Sequence, residues 1–276
     1  MIGSVRFVDP ARGLVWLAGL ALAAAGCHPA APAAAPRLVY ASTRAAYGAG
    51  VYDGFITVAA VRALGDFGLG AADANDGELV ALDGTYYRTR GDGTVIPFAD
   101  RDLLSLASVT TFRADRKLHV RGPLSRAAFE ARLDAWLPGP NRLFALRIHG
   151  RFARVVAGAS DPQVKPYRRF SEVYPEYHLI PRTDAVGTLV GFLTPVGFPD
   201  SARRRYHFHL ISDDRRTGGH VDDVDVEDVD VEAQELRRIE FVMPDTPAFY
   251  AADLAPAPVA PAPAAAPVAP AAPAPR

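Results

Sequence analysis

The segment YHFHLISDDRRTGGH, residues 206–220, holds three of the chain's seven histidines and decides how its second half folds. Strand alternation puts Tyr206, Phe208 and Leu210 on one face and His207 and His209 on the other. Ile211 to Gly219 is charged and ends in two glycines, which suits a turn into a new strand beginning at His220. Antiparallel pairing of the two strands would bring His220 to the face of the other two. Spacing alone leaves two readings. Three neutral imidazoles from neighbouring strands make a three-ligand site with an open position, as catalytic zinc is held. The same residues also suit the polar face of a solvated strand.

Outward from this segment, strands dominate. VDVEDVDVE, after His220, alternates as a half-exposed strand, and the phase slip near Glu227-Asp228 predicts a bulge. It lacks the glycine-turned loop of a calcium site and reads as a solvated strand face. Upstream, GELVALDGTYYRT (77–89) is two strands joined by Asp83-Gly84, a type I′ hairpin signal. Gly91-Asp92-Gly93 turns the chain into a strand over Thr94–Pro97. LLSLASVTTF and RLFALRI read as buried strands, and His149-Gly150 predicts a hairpin into RFARVVA. Thr57–Leu64 predicts a short helix. Ser125 caps a better one, with Phe129, Leu133 and Trp136 at helical spacing before Pro138-Gly139-Pro140. The fold class is α+β, two sheet-based halves of mixed β-sheet with few helices, over about 37–160 and 161–254.

Nearly half of the 276 residues are apolar, enough for a substantial core, and 30 basic residues balance 31 acidic ones. No overall field or basic run points to nucleic acid, so a small molecule or a protein is the expected partner. Residues 1–27 have the layout of an export signal, with Arg6 and Arg12 ahead of an apolar run from Leu14 to Ala25. That run is too short for a permanent membrane span. Small residues directly precede Cys27, the chain's one cysteine, and resemble the lipidation box of bacterial lipoproteins. A cleaved signal with an incidental cysteine is the other reading. The expectation is an exported domain, periplasmic or at the cell surface, anchored to a membrane by lipid on Cys27. Residues 28–36 form a Pro/Ala linker and 37–254 the globular domain. The Ala/Pro tract over 255–276 buries too little to offset its ordering entropy and is expected to be a disordered tail.

Two stretches carry a family resemblance. VYDGFITVAAVRALGDFGLGAADANDGELVALDGTYYRTRGDGTV (51–95) resembles the N-terminal part of bacterial alpha-acetolactate decarboxylases, and YHFHLISDDRRTGGHV resembles their metal-binding segment. The similarity spans about residues 38–254. It implies that His207, His209 and His220 are ligands of Zn2+, that Glu78 in DGEL is the active-site carboxylate, and that the metal lies between the two sheets of an often dimeric protein. The implied reaction is decarboxylation of 2-acetolactate to acetoin and carbon dioxide, with no organic cofactor.

Three positions depart from the family pattern. Aligning on QVKPY (163–167) puts Gly158 where the family has an arginine, and a family threonine stands here as Ala71. A C-terminal glutamate is replaced by the Ala/Pro tail. Arg154, four residues before Gly158 and on the same strand face, is the candidate substitute cation, the favoured alternative being that it is simply a surface arginine. These departures imply impaired turnover, with two further readings: a non-catalytic zinc-binding envelope lipoprotein, or a decarboxylase of a related 2-hydroxy-3-keto acid.

Overall fold

The computed structural model describes residues 35–195, 198 and 205–255. The export signal, Cys27 and almost all of the Pro/Ala linker and Ala/Pro tail lie outside the described residues.

Strands β1 (Arg37–Ala41), β2 (Ile56–Thr57), β3 (Phe67–Ala72), β4 (Glu78–Leu82), β5 (Thr85–Thr89), β6 (Val95–Pro97) and β7 (Leu103–Thr110) form most of a first sheet. A second sheet is built from β8 (Arg116–Ser125), β9 (Leu143–Ala159), β10 (His178–Leu193), β11 (Tyr206–Ser212) and β12 (Gly218–Leu236). The last strand, β13 (Arg238–Val242), returns to the first sheet and runs parallel to β1. The sheet orders are β13-β1-β7-β3-β4-β5-β6, with β2 on β7, and β11-β10-β9-β12-β8. Among the described residues five short α-helices, α1 (Arg44–Gly48), α2 (Val58–Arg62), α3 (Arg126–Trp136), α4 (Phe170–Val173) and α5 (Pro247–Ala251), and two 3-10 turns, Asp73–Asn75 and Tyr174–Glu176, complete the elements.

The local signals act as expected where the chemistry is local. Asp83 and Gly84 both have positive φ, 51° and 78°, as a type I′ turn requires. The Thr57 and Ser125 hydroxyls accept from the amides of Ala60 and Ala128 and start α2 and α3. The register of β12 shifts between Val226 and Asp228, where the phase slip predicted a bulge.

Two expectations fail for a non-local reason. His149-Gly150 is not a hairpin turn, because β9 runs straight through it. His149 pairs with Thr188 on β10 and with Asp230 on β12, so neighbours on both sides already take its backbone hydrogen bonds. The two sheets also do not divide the chain near residue 160. β8 and β9 join the second sheet, and Asp161–Tyr167 connects two strands of that same sheet.

The sheets face each other across an apolar layer. Leu38, Phe67, Leu69 and Val80 of the first meet Ala145, Val190, Phe192 and Ile211 of the second. Phe129 and Leu133 of α3 cover the far face of the second sheet against Phe144 and Phe208. Val58 and Val61 of α2 cover the far face of the first.

One feature of the second sheet positions the site. Besides its pairing with β9, the start of β12 pairs with β11, so β9, β10, β11 and β12 close into a ring at that end. The closure needs backbones in close approach. Gly219 has φ +113°, and a Cβ there would lie 2.3 Å from the Gly158 carbonyl oxygen. A Cβ on Gly158 would in turn lie 1.9 Å from the carbonyl oxygen of His178 on β10. Gly158→Ala should therefore force β9 and β10 apart and cost about 1–3 kcal/mol, read as a lower urea midpoint. An unchanged midpoint would mean the strands are less tightly held than these distances require.

Candidate active site

β11 presents His207 and His209 on the face that carries Ile211, toward the first sheet, while Tyr206, Phe208 and Leu210 enter the core beneath α3. Ring closure sets His220 directly opposite His209. The three ligating nitrogens lie within 4.8 Å of one another, and His207 Nε2 is 3.2 Å from His220 Nδ1. This is the convergence that alternation and the Gly-Gly turn left as one of two possibilities.

The first sheet completes the site. His209 Nδ1 lies 2.8 Å from the Leu79 carbonyl oxygen on β4. Only an N–H satisfies a carbonyl, so the proton sits on Nδ1 and Nε2 keeps its lone pair. That Nε2 lies 3.5 Å from Oε2 of Glu78, the residue before Leu79. Both side chains are almost wholly buried, His209 at 1% exposure and Glu78 at 5%. Two electron-pair donors facing each other away from water call for a shared proton or metal cation.

Burial also sets the protonation states. His207 and His209 are held well below the usual histidine range, first by desolvation and then by neighbouring positive charge. Neutral imidazole is the form that binds a metal. Burial pushes Glu78 up to about 8, against a hydrogen bond from Tyr177 and the charge of Arg44. Three imidazoles with a carboxyl group beside them are a donor set suited to a divalent transition metal.

Sequence reasoning missed several residues around this centre. Tyr177, at the end of the helical turn before β10, hydrogen-bonds Glu78, and its hydroxyl lies 3.5 Å from that of Tyr47 on α1. The Tyr47 hydroxyl donates to Asn75 Oδ1 at 2.5 Å. Tyr174 sets its ring edge-on to His220 and donates to Asp222 at 2.7 Å. Arg44, the first residue of α1, donates to His207 Nδ1. None of these has a local signature, although the aromatic run YPEY (174–177) hints that this connection is packed rather than free.

The remaining sequence candidates fall as follows. Gly158 lies across the ladder from His220, at the site, and Ala71 is buried on β3 opposite Glu78. Arg154 is four residues along β9 from Gly158, about 13 Å away. Its guanidinium is half-exposed and pairs with Asp223 at 2.8 Å and Asp225 at 3.8 Å. The structure thus unites His207, His209, His220 and Glu78, and directs Arg154 to a separate acidic pair.

Comparison with known proteins identifies the family. The family model for alpha-acetolactate decarboxylase matches residues 38–256. The chain is 35% identical to the alpha-acetolactate decarboxylase of Bacillus subtilis strain 168 over 205 residues, covering 74% of this chain and 80% of that one. It is 34% identical to that of Methanosarcina mazei, covering 74% of this chain and 71% of that one. The crystal structure of the B. subtilis strain 168 protein superposes with a TM-score of 0.76 at 34% identity, over 79% of this chain and 93% of that one. A Staphylococcus aureus protein of unknown function, described as similar to alpha-acetolactate decarboxylase, gives 0.75 at 28% identity, over 79% and 94% of the two chains. The chain belongs to the alpha-acetolactate decarboxylase family.

Proposed function

We propose that the protein is a zinc-dependent decarboxylase that converts 2-acetolactate to acetoin and carbon dioxide. The observation that carries this reading is the convergence of three histidines beside the buried Glu78, in a chain of this family.

The substrate joins a carboxylate and a hydroxyl at one carbon and a ketone at the next. Breaking the carbon–carboxylate bond leaves an electron pair that must pass into the ketone, and the carbon then takes up a proton. His207, His209 and His220 would hold the zinc ion, which when bound supplies Lewis acidity toward the hydroxyl and ketone oxygens. The protein's own task is to keep those ligands neutral and aimed. The Leu79 carbonyl does this for His209 by fixing its tautomer.

Glu78 is placed to hold the proton and hand it to the carbon that has lost its carboxylate. The Tyr177 hydroxyl, hydrogen-bonded to Glu78, orients that carboxyl group. The tyrosines of α1 and the segment before β10 exclude water from its other side. Each turnover consumes one proton, so Glu78 must be recharged from solvent after the product leaves.

The direct test is acetoin formation from 2-acetolactate by the zinc-loaded protein; no turnover with full zinc content would sink the reading. His209→Ala should abolish stoichiometric zinc, measured by metal analysis, together with activity. Removing zinc with a chelator should stop turnover and re-addition should restore it. Glu78→Gln should keep the metal but lower kcat by about 10²–10⁴-fold, the usual worth of a positioned general acid. A Glu78→Gln protein of normal kcat would assign proton delivery to another group.

A further inference from the structure

We infer that Arg44 binds the substrate carboxylate and thereby selects anionic 2-hydroxy-3-keto acids. The inference rests on the decarboxylase reading above and adds a residue to it.

Such a substrate brings a negative charge into a buried site whose own titratable groups do not welcome it. Glu78, almost wholly buried there, is itself a carboxyl group and offers no positive charge. Zinc, when bound, would serve the hydroxyl and ketone oxygens, so the carboxylate needs a partner of its own, and desolvating it without one would be costly. β9 does not supply one. Gly158, opposite His220, has no room for a side chain, and Arg154 is committed to Asp223 and Asp225. Arg126 also acts on His207 through its charge, but its guanidinium is spent on the carbonyls of Val221, Asp222 and Tyr206 and on Glu130.

Arg44 is placed differently. It opens α1, directly after the Thr43 cap, and its guanidinium reaches His207 Nδ1. That contact sets the guanidinium against one of the three converging histidines.

The contact with His207 is one that a working site would have to exchange. Arginine can only donate, so His207 accepts at Nδ1 and carries its proton on Nε2. An imidazole in that state has no lone pair left for a metal. Holding a metal therefore requires His207 to release Arg44, and a carboxylate is a stronger acceptor for the released N–H than a neutral imidazole. The guanidinium fork matches the two oxygens of a carboxylate, which a lysine at this position would not.

The reaction itself predicts how this role shows in kinetics. Negative charge leaves the carboxylate as carbon dioxide departs, so an ion pair at that end is no stronger in the transition state than in the bound substrate. Arg44 should contribute to KM rather than to kcat.

Arg44→Met should raise KM for acetolactate about 10–100-fold, the range for a hydrogen bond to a charged group, with kcat changed by less than about threefold. Calorimetry supplies a readout independent of turnover. 2-Hydroxy-2-methylbutanoate keeps the carboxylate and hydroxyl but has no ketone to accept electrons. Its affinity for the zinc-loaded protein should fall about as much as KM rises, while the affinity for neutral acetoin stays the same. Arg44→Lys should recover part of the loss, and it takes the place of the methionine variant if that variant fails to fold. An unchanged KM and analogue affinity would overturn the proposal, as would a fall in kcat at constant KM. A protein that binds the analogue through Arg44 but forms no acetoin would sink the decarboxylase reading and leave the carboxylate site standing.

Discussion

The site depends on one hydrogen bond between the two sheets, from His209 Nδ1–H on β11 to the Leu79 carbonyl oxygen on β4. It does three things at once. It fixes the tautomer of His209, it turns the Nε2 lone pair toward the centre, and it places the second sheet against the strand that carries Glu78. Because Glu78 immediately precedes Leu79, the carboxyl group and the histidine are tied to adjacent backbone units. A side chain held by main chain in this way has little freedom left to lose, which is what a site needing exact relative placement requires.

The strand arrangement explains why that bond forms where it does. The apolar layer between the sheets runs through Val190, Phe192 and Ile211, and His209 continues the face of Ile211 beyond it. Two residues along the strand the surroundings change from an all-apolar layer to one bounded by Glu78, Tyr177 and Arg44. The histidines are thus the polar end of an otherwise ordinary sheet interface. Its apolar part provides the stability that lets buried polar groups be tolerated at the margin.

How much of this was legible in the sequence follows from which interactions are local. The faces of β11, the Asp83-Gly84 turn and the caps at Thr57 and Ser125 depend on neighbours within a few residues, and the sequence displays them. The passage of β9 through His149-Gly150 depends on β10 and β12 saturating both its edges, and no local pattern records that. The same holds for β13, whose place beside β1 joins residues about 200 positions apart. At the site, family resemblance named the ligands and Glu78. Tyr177 and Arg44 come from connecting segments brought in by the tertiary fold, so periodicity could not single them out.

Gly158 shows how backbone and side chain compete for the same space. Its strand lies between β10 and the incoming turn of β12, with the carbonyl of His178 on one side and Gly219 on the other. A side chain there would open the ring that brings His220 to His209. Closing the ring with glycine secures the third histidine, but it removes β9 as a source of positive charge beside it. A side-chain cation for the substrate carboxylate would then come from an element outside the ring. α1 is such an element: its first residue, Arg44, already reaches His207, and its Tyr47 joins the hydroxyl network around Glu78. Ligand placement and substrate charge are in this way assigned to different parts of the fold that meet at the contact between Arg44 and His207, so a change in one is expected to be felt by the other.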